Sequence, residues 1–111
     1  MSCMMNDGLP MIIRGTTPTI KFCFSDVDVN EISVAFITIK QNKELKIDKD
    51  ISEAVKVENA ILWTLTQEET LSLKSKVSAT VLCDWKLING LRGISHELTV
   101  QVKDPGKEGV I

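Results

Sequence analysis

Apolar and polar residues alternate with a period of two along most of this chain, as strands with one buried face require. The alternation is cleanest from Val77 to Val102, on either side of Asn89-Gly90. Asn-Gly suits the positive φ angles of a two-residue type I′ turn, so the stretch is expected as one long β-hairpin. Folded there, Val77 pairs with Val102, Ala79 with Val100, Val81 with Leu98, Cys83 with His96 and Trp85 with Ile94, all on an apolar face. Ser78 with Gln101, Thr80 with Thr99, Leu82 with Glu97 and Asp84 with Ser95 make the other, largely polar face. A four-residue loop, Asn89 to Arg92, shifts the pairs by two positions and keeps the faces. Either way the hairpin cannot bury its apolar side alone and needs a second layer.

The rest of the chain supplies strands for that layer. Met11 to Arg14 is a short apolar opening. After Pro18, Ile20, Phe22 and Phe24 alternate with Lys21 and Cys23. Val34 to Gln41 is apolar at both parities in its first half, which predicts a central strand covered on both sides. Gln41-Asn42-Lys43 turns the chain into a short amphipathic strand, Glu44 to Asp48, in which Leu45 and Ile47 alternate with Glu44, Lys46 and Asp48. Those charges suit an exposed sheet edge, where they discourage indiscriminate pairing. Asp50 to Ala54 is ambiguous, with one helical turn as an option. Val55 and Val57, then a turn at Glu58-Asn59, lead to Ile61, Trp63 and Leu65. Thr66-Gln67-Glu68-Glu69 matches the Thr-x-x-Glu capping box, so a short helix is expected from Thr66 to Leu73, with Leu71 and Leu73 directed inward.

The pattern predicts an all-β fold: an immunoglobulin-like antiparallel β-sandwich of about seven strands with one short helical turn. Residues 11–104 form the domain, 1–10 a flexible N-terminal extension and 105–111 a flexible C-terminal tail. With 111 residues, a single core can bury about two-thirds of the unfolded surface.

Composition narrows the function classes. The 13 basic and 15 acidic residues, a net charge of −2, offer no basic field for nucleic acid. No apolar run reaches the roughly 18 residues of a membrane-spanning helix, and residues 1–10 lack the basic start and apolar centre of a signal peptide. Cys3, Cys23 and Cys83 are an odd set. Cys23–Cys83 is the one internal bridge considered, but reduced thiols and assembly in a reducing cytoplasm are the expectation.

Candidate chemistry is sparse. Asp26-x-Asp28-x-Asn30 opens like a calcium loop but has Glu31 and Ile37 where glycine and a bidentate Glu are needed. Cys83 and His96 face one another in the expected hairpin, yet on its inward face, where a core thiol beside a half-buried imidazole is the simpler reading than a nucleophilic dyad. Trp63 and Trp85 are each in phase with an apolar face and read as core. Zinc would need more ligands than Cys23, Cys83 and His96 supply. No catalytic, cofactor or metal residues are assigned, and the chain is not expected to be an enzyme. The candidate site is an interaction edge: Glu44, Leu45, Lys46, Ile47 and Asp48.

Two stretches carry a resemblance. Ile12-Ile13-Arg14-Gly15-Thr16-Thr17-Pro18-Thr19 resembles the opening of a group of short phage and prophage proteins from Gram-positive bacteria. Leu65-Thr66-Gln67-Glu68-Glu69-Thr70-Leu71 resembles the segment those proteins carry before their last two strands. The resemblance implies a virion-associated or assembly protein similar in architecture to the immunoglobulin-like domain that begins phage baseplate proteins. It brings no catalytic residues. The chain departs from the pattern before Met11 and at Cys83-Asp84-Trp85.

The reading is thus a non-enzymatic phage or prophage structural protein, tail or baseplate associated. It would contact other phage structural proteins or itself, bind no nucleic acid and no membrane, need no cofactor, and be assembled into the virion in the host cytoplasm. The alternative is a bacterial cell-surface or secreted immunoglobulin-like adhesion module. A third reading, an enzyme accessory or ligand-binding domain, requires a concave pocket with convergent polar groups.

Overall fold

Two sheets face each other across an apolar core in the computed structural model, which describes residues 11–95 and 97–111. The strands are β1 (Met11–Ile13), β2 (Thr19–Cys23), β3 (Ile32–Gln41), β4 (Glu44–Asp50), β5 (Ala54–Val57), β6 (Ala60–Thr64), β7 (Ala79–Leu87), β8 (Arg92–Ile94) and β9 (Leu98–Lys103). One sheet runs β1-β9-β7-β3-β4, with β8 also pairing β7; the other runs β2-β6-β5. The chain is an all-β sandwich, as its alternation predicts. All pairs are antiparallel except β1 with β9. Among the described residues there are nine strands, beside the expected seven or so, in part because β1 joins the sheet and the second arm of the hairpin is broken into β8 and β9.

The inward residues match the alternation. Ile20, Phe22, Ile61, Trp63 and Leu65 come from the smaller sheet side, and Ala35, Ile37, Ile39, Val81, Cys83, Val100 and Val102 from the larger; all are buried. Trp63 is fully enclosed, meets Phe22 edge-on at 5.8 Å and donates its indole N–H to the Asp50 carbonyl at 2.9 Å.

The hairpin forms, but its register changes midway. Ala79, Thr80 and Val81 pair with Val100, Thr99 and Leu98 as predicted. Farther up, Trp85 pairs with Gly93 and Asp84 with Ile94, one residue off the expected register. The cause is the turn. Gly90 donates to the Leu87 carbonyl at 2.9 Å and Leu87 to Leu91 at 2.8 Å, closing a three-residue loop with Gly90 at φ 94°. Asn89 is not at positive φ; its side chain accepts from the Leu91 amide at 3.0 Å. A three-residue loop slips the register by one, and an extra residue between Ile94 and Leu98 restores it. The two-residue turn with positive φ at both centres occurs instead at Asn42 (51°) and Lys43 (66°), joining β3 to β4.

The polar connections are held by buried side chains. Gln41, 2% exposed, donates to the Lys74 and Val77 carbonyls at 2.8 and 2.9 Å and accepts from the Lys74 amide at 2.8 Å. The expected helix is α1 (Gln67–Leu71), with both hydrogen bonds of the capping box between Thr66 and Glu69. Two 3-10 turns, Val29–Glu31 and Ile51–Glu53, are capped by Asp28 and Asp50; the second settles the ambiguous Asp50 to Ala54 stretch.

The two stretches that carry the resemblance touch each other. The Gly15 amide donates to Thr70 Oγ1 at 2.9 Å, and that hydroxyl donates to the Thr16 carbonyl at 2.9 Å. Leu65 donates to the Pro18 carbonyl at 2.9 Å. Arg14 reaches the carbonyls of Leu71 and Leu73 at the end of α1 and pairs with Asp104 and Glu108, whose hydrogen bonds raise its pKa. The Ile111 amide donates to Gln67 Oε1 at 2.7 Å, so the C-terminal residues lie along the same end. These residues are a structural clasp.

Candidate interaction surface

The strand Glu44 to Asp48 extends to Asp50 as β4 and, among the described residues, pairs only with β3, which puts it at an edge of the larger sheet. Its side chains do not divide as the alternation predicts. Lys40 pairs with Leu45 and Ile39 with Ile47, so Lys46 is an extra residue in a β-bulge. The bulge leaves Leu45 exposed and Ile47 buried, and carries Lys49 inward. Lys46 pairs with Glu44 at 2.7 Å, and that hydrogen bond and charge hold the Glu44 carboxyl below its usual range. A bulged, charged edge is a poor template for unselective strand addition.

Lys49, only 6% exposed, donates to the Thr64 carbonyl at 3.1 Å and to Glu69 Oε1 at 3.0 Å. It thereby ties β4 to the capped start of α1. Burial works against the Glu69 carboxylate, but the Thr66 amide and Lys49 outweigh it and bring its pKa down.

The more extensive surface is the outer face of the larger sheet. The prediction that β3 is covered on both sides is corrected among the described residues: β3 is central, between β7 and β4, but of its two faces those residues cover the inner one. Val34 is 37% exposed, Phe36 40% and, on β8, Ile94 58%. Ile94 reaches this face because of the register slip. A shallow groove of about 380 Å³ runs among Val34, Phe36, Thr38, Asp48, Asp84 and their neighbours Lys86 and Arg92. Sequence reasoning missed it, although a domain of only two layers leaves every sheet with one outer face.

The remaining candidates resolve as structure. Cys83 is a free, buried thiol whose pKa burial, aided by the Asp84 charge, pushes up to about 12. A thiol so placed is no nucleophile at neutral pH. Across from it, Ser95 donates its amide to the Cys83 carbonyl at 2.8 Å and accepts the Cys83 amide on Oγ at 2.9 Å. His96 and Cys3 lie outside the described residues, so the Cys83–His96 pairing does too. Cys23 is disulfide-bonded, which corrects the expectation of reduced thiols, and Cys83 is not its partner. Asp28 accepts from the Asn30 amide at 2.9 Å as a cap. Among the described residues no group of three or more His, Cys, Asp or Glu converges to hold a metal ion, and no helix is long and apolar enough to cross a membrane. Trp85 packs edge-on to Phe24 at 5.1 Å, as a core-side aromatic.

Compared with family models and with curated proteins, the chain matches none.

Proposed function

We propose that this protein is a non-enzymatic phage or prophage structural or assembly module that acts through protein–protein contacts, in the tail or baseplate, with an immunoglobulin-like sandwich as its frame. The observation that carries the contact reading is the open outer face around Phe36 beside the edge strand β4. Large apolar side chains grouped on one sheet face cost solubility unless a partner covers them. The phage assignment rests on the two resembling stretches, whose residues form the clasp between Gly15, Thr16 and Thr70. The test is mass spectrometry of purified virions and assembly intermediates, with a pull-down from phage-producing cells. Recovery in particles with a phage protein partner is the expected result; absence from both overturns the reading.

One observation favours the adhesion alternative. Cys23 is disulfide-bonded, and disulfides persist chiefly in oxidising compartments. Recovery of the protein on the cell surface or in medium, and not in particles, decides for that alternative.

A further inference from the structure

We infer that Asn89 is a self-modifying site, where the Gly90 amide nitrogen attacks the Asn89 carboxamide and converts the residue to aspartate and isoaspartate. The chain has asparagine at positions 6, 30, 42, 59 and 89, and only Asn89 precedes a glycine. A following side chain crowds the nitrogen that must attack, and glycine has none. Ile88, Asn89 and Gly90 are all exposed on the loop between β7 and β8. Among the described residues, nothing beyond its chain neighbours lies within 4 Å of where a Gly90 Cβ would stand, so a ring closing on this nitrogen meets no wall. Asn89 Oδ1 accepts from the Leu91 amide at 3.0 Å. That donor draws electron density from Cγ and stands where negative charge develops on the oxygen during attack. One contact opposes the step: the Gly90 amide donates to the Leu87 carbonyl at 2.9 Å and must be released. It is a single bond at an exposed loop tip, and its opening slows the reaction by at most about tenfold.

The step balances without oxidant or reductant. The Gly90 nitrogen gives its proton to hydroxide and bonds to Asn89 Cγ; the Cγ–Nδ2 bond breaks, and the carboxamide nitrogen takes up a proton and leaves as ammonia. Water then opens the cyclic imide. Attack at Cγ restores the ordinary backbone with aspartate at 89. Attack at the main-chain carbonyl carbon frees the α-carboxylate and leaves the chain running through Cβ and Cγ, as isoaspartate. The two products act differently on the fold. Aspartate keeps the backbone and an oxygen for the Leu91 amide, and adds one negative charge. Isoaspartate adds one carbon to the backbone between Leu87 and Leu91, the residues that close the loop at 2.8 Å. Loop length sets the pairing of Trp85 with Gly93 and of Asp84 with Ile94, so isoaspartate loosens β8 on β7. The pairing of Ala79, Thr80 and Val81 with β9 lies beyond its reach.

The test is timed incubation of the purified, folded full chain, followed by mapping of the Leu87–Arg92 peptide that trypsin releases after Lys86 and Arg92. Digestion under mildly acidic conditions halts the reaction, and a synthetic peptide of the same sequence is incubated alongside. Asn89 in the folded chain should convert within about tenfold of the peptide's rate, and faster at pH 9 than at pH 7. Asn30, Asn42 and Asn59 should stay intact over the same period. Asn89→Gln, an exposed change that spares the fold, should lose the conversion. A rate in the folded chain more than about tenfold below the peptide's shows that the loop protects Asn89, and overturns the inference. Conversion at Asn30, Asn42 or Asn59 as fast as at Asn89 overturns it too. The separated isoaspartate form should exchange its Leu87 amide faster than Asn89→Asp does, with Val81 unchanged. Equal exchange at Leu87 in the two overturns the effect on β8. The measurement uses purified protein alone, so its failure is distinct from absence in virions.

Discussion

The Trp85 indole lies against Gly93 on the neighbouring strand, so closely that a Cβ at position 93 would sit 2.3 Å from ring atom Cζ2. Glycine is required there by the ring, not by the backbone. Gly93→Ala should destabilise the fold by about 1–3 kcal/mol, the range for overpacking. In a Trp85→Ala background the same change should cost almost nothing, a coupling that urea unfolding of the four proteins in a double-mutant cycle measures. Equal costs in both backgrounds would show that the ring is not the obstacle.

Trp63 should matter more than Trp85. Trp63 is fully buried with its N–H bonded to Asp50, whereas Trp85 is only partly buried against Phe24. Trp63→Ala is expected to cost about 3–5 kcal/mol and Trp85→Ala less. Urea midpoints rank the two, and a reversed order contradicts the packing described.

Gln41 holds the Lys74 to Val77 connection with three hydrogen bonds from a buried amide. Gln41→Leu should cost about 2–4 kcal/mol, because it strands buried backbone groups as well as losing the bonds. Amide exchange at Lys74 should accelerate more than exchange at β7 residues. A uniform change would place the damage elsewhere.

Acid should weaken the link between β4 and α1. The Glu69 carboxylate has its pKa depressed in the folded protein, net of the opposing effect of burial, by the Thr66 amide and Lys49. Its contribution is therefore fully present above the unfolded pKa of about 4.3 and is lost as pH falls through the lower folded value. Thermal melts from pH 7 to pH 3 should show the midpoint falling below about pH 4.3, and less steeply in Glu69→Gln. Identical slopes in the two proteins would remove Glu69 as a source.

Cys83 should be inert in the native state. Burial pushes its pKa up to about 12, so thiolate is scarce near neutrality. Native protein at pH 8 should not label at Cys83 with iodoacetamide, and denatured protein should, as peptide mapping would reveal. Labelling of Cys83 in the folded chain within minutes would contradict its burial.

How much of this was legible in the sequence depends on the range of the interactions involved. The alternation of Ile61, Trp63 and Leu65, and of Ala79 and Val81 against Val100 and Leu98, identified the inner faces because burial on one side of a strand imposes a period of two. The Thr66–Glu69 capping box was equally plain, since both of its hydrogen bonds join residues three apart. The clasp between Gly15, Thr16 and Thr70 was visible only as two unconnected stretches. Their contact spans more than fifty positions.

The tertiary structure decided what alternation alone leaves free. Asn89-Gly90 marks a turn, but only the closed loop sets its length, and one additional residue moves Ile94 from the expected inner face to the open one. The bulge at Lys46 does the same for Leu45 at the other side of the sheet. Val34-Ala35-Phe36-Ile37 looks alike at both parities, and which parity is covered depends on how many layers pack, a property of the whole chain. The sequence by itself determined which residues form strands and most of the inner face; the packing of two layers, with one slip and one bulge, decided which apolar residues remain outside.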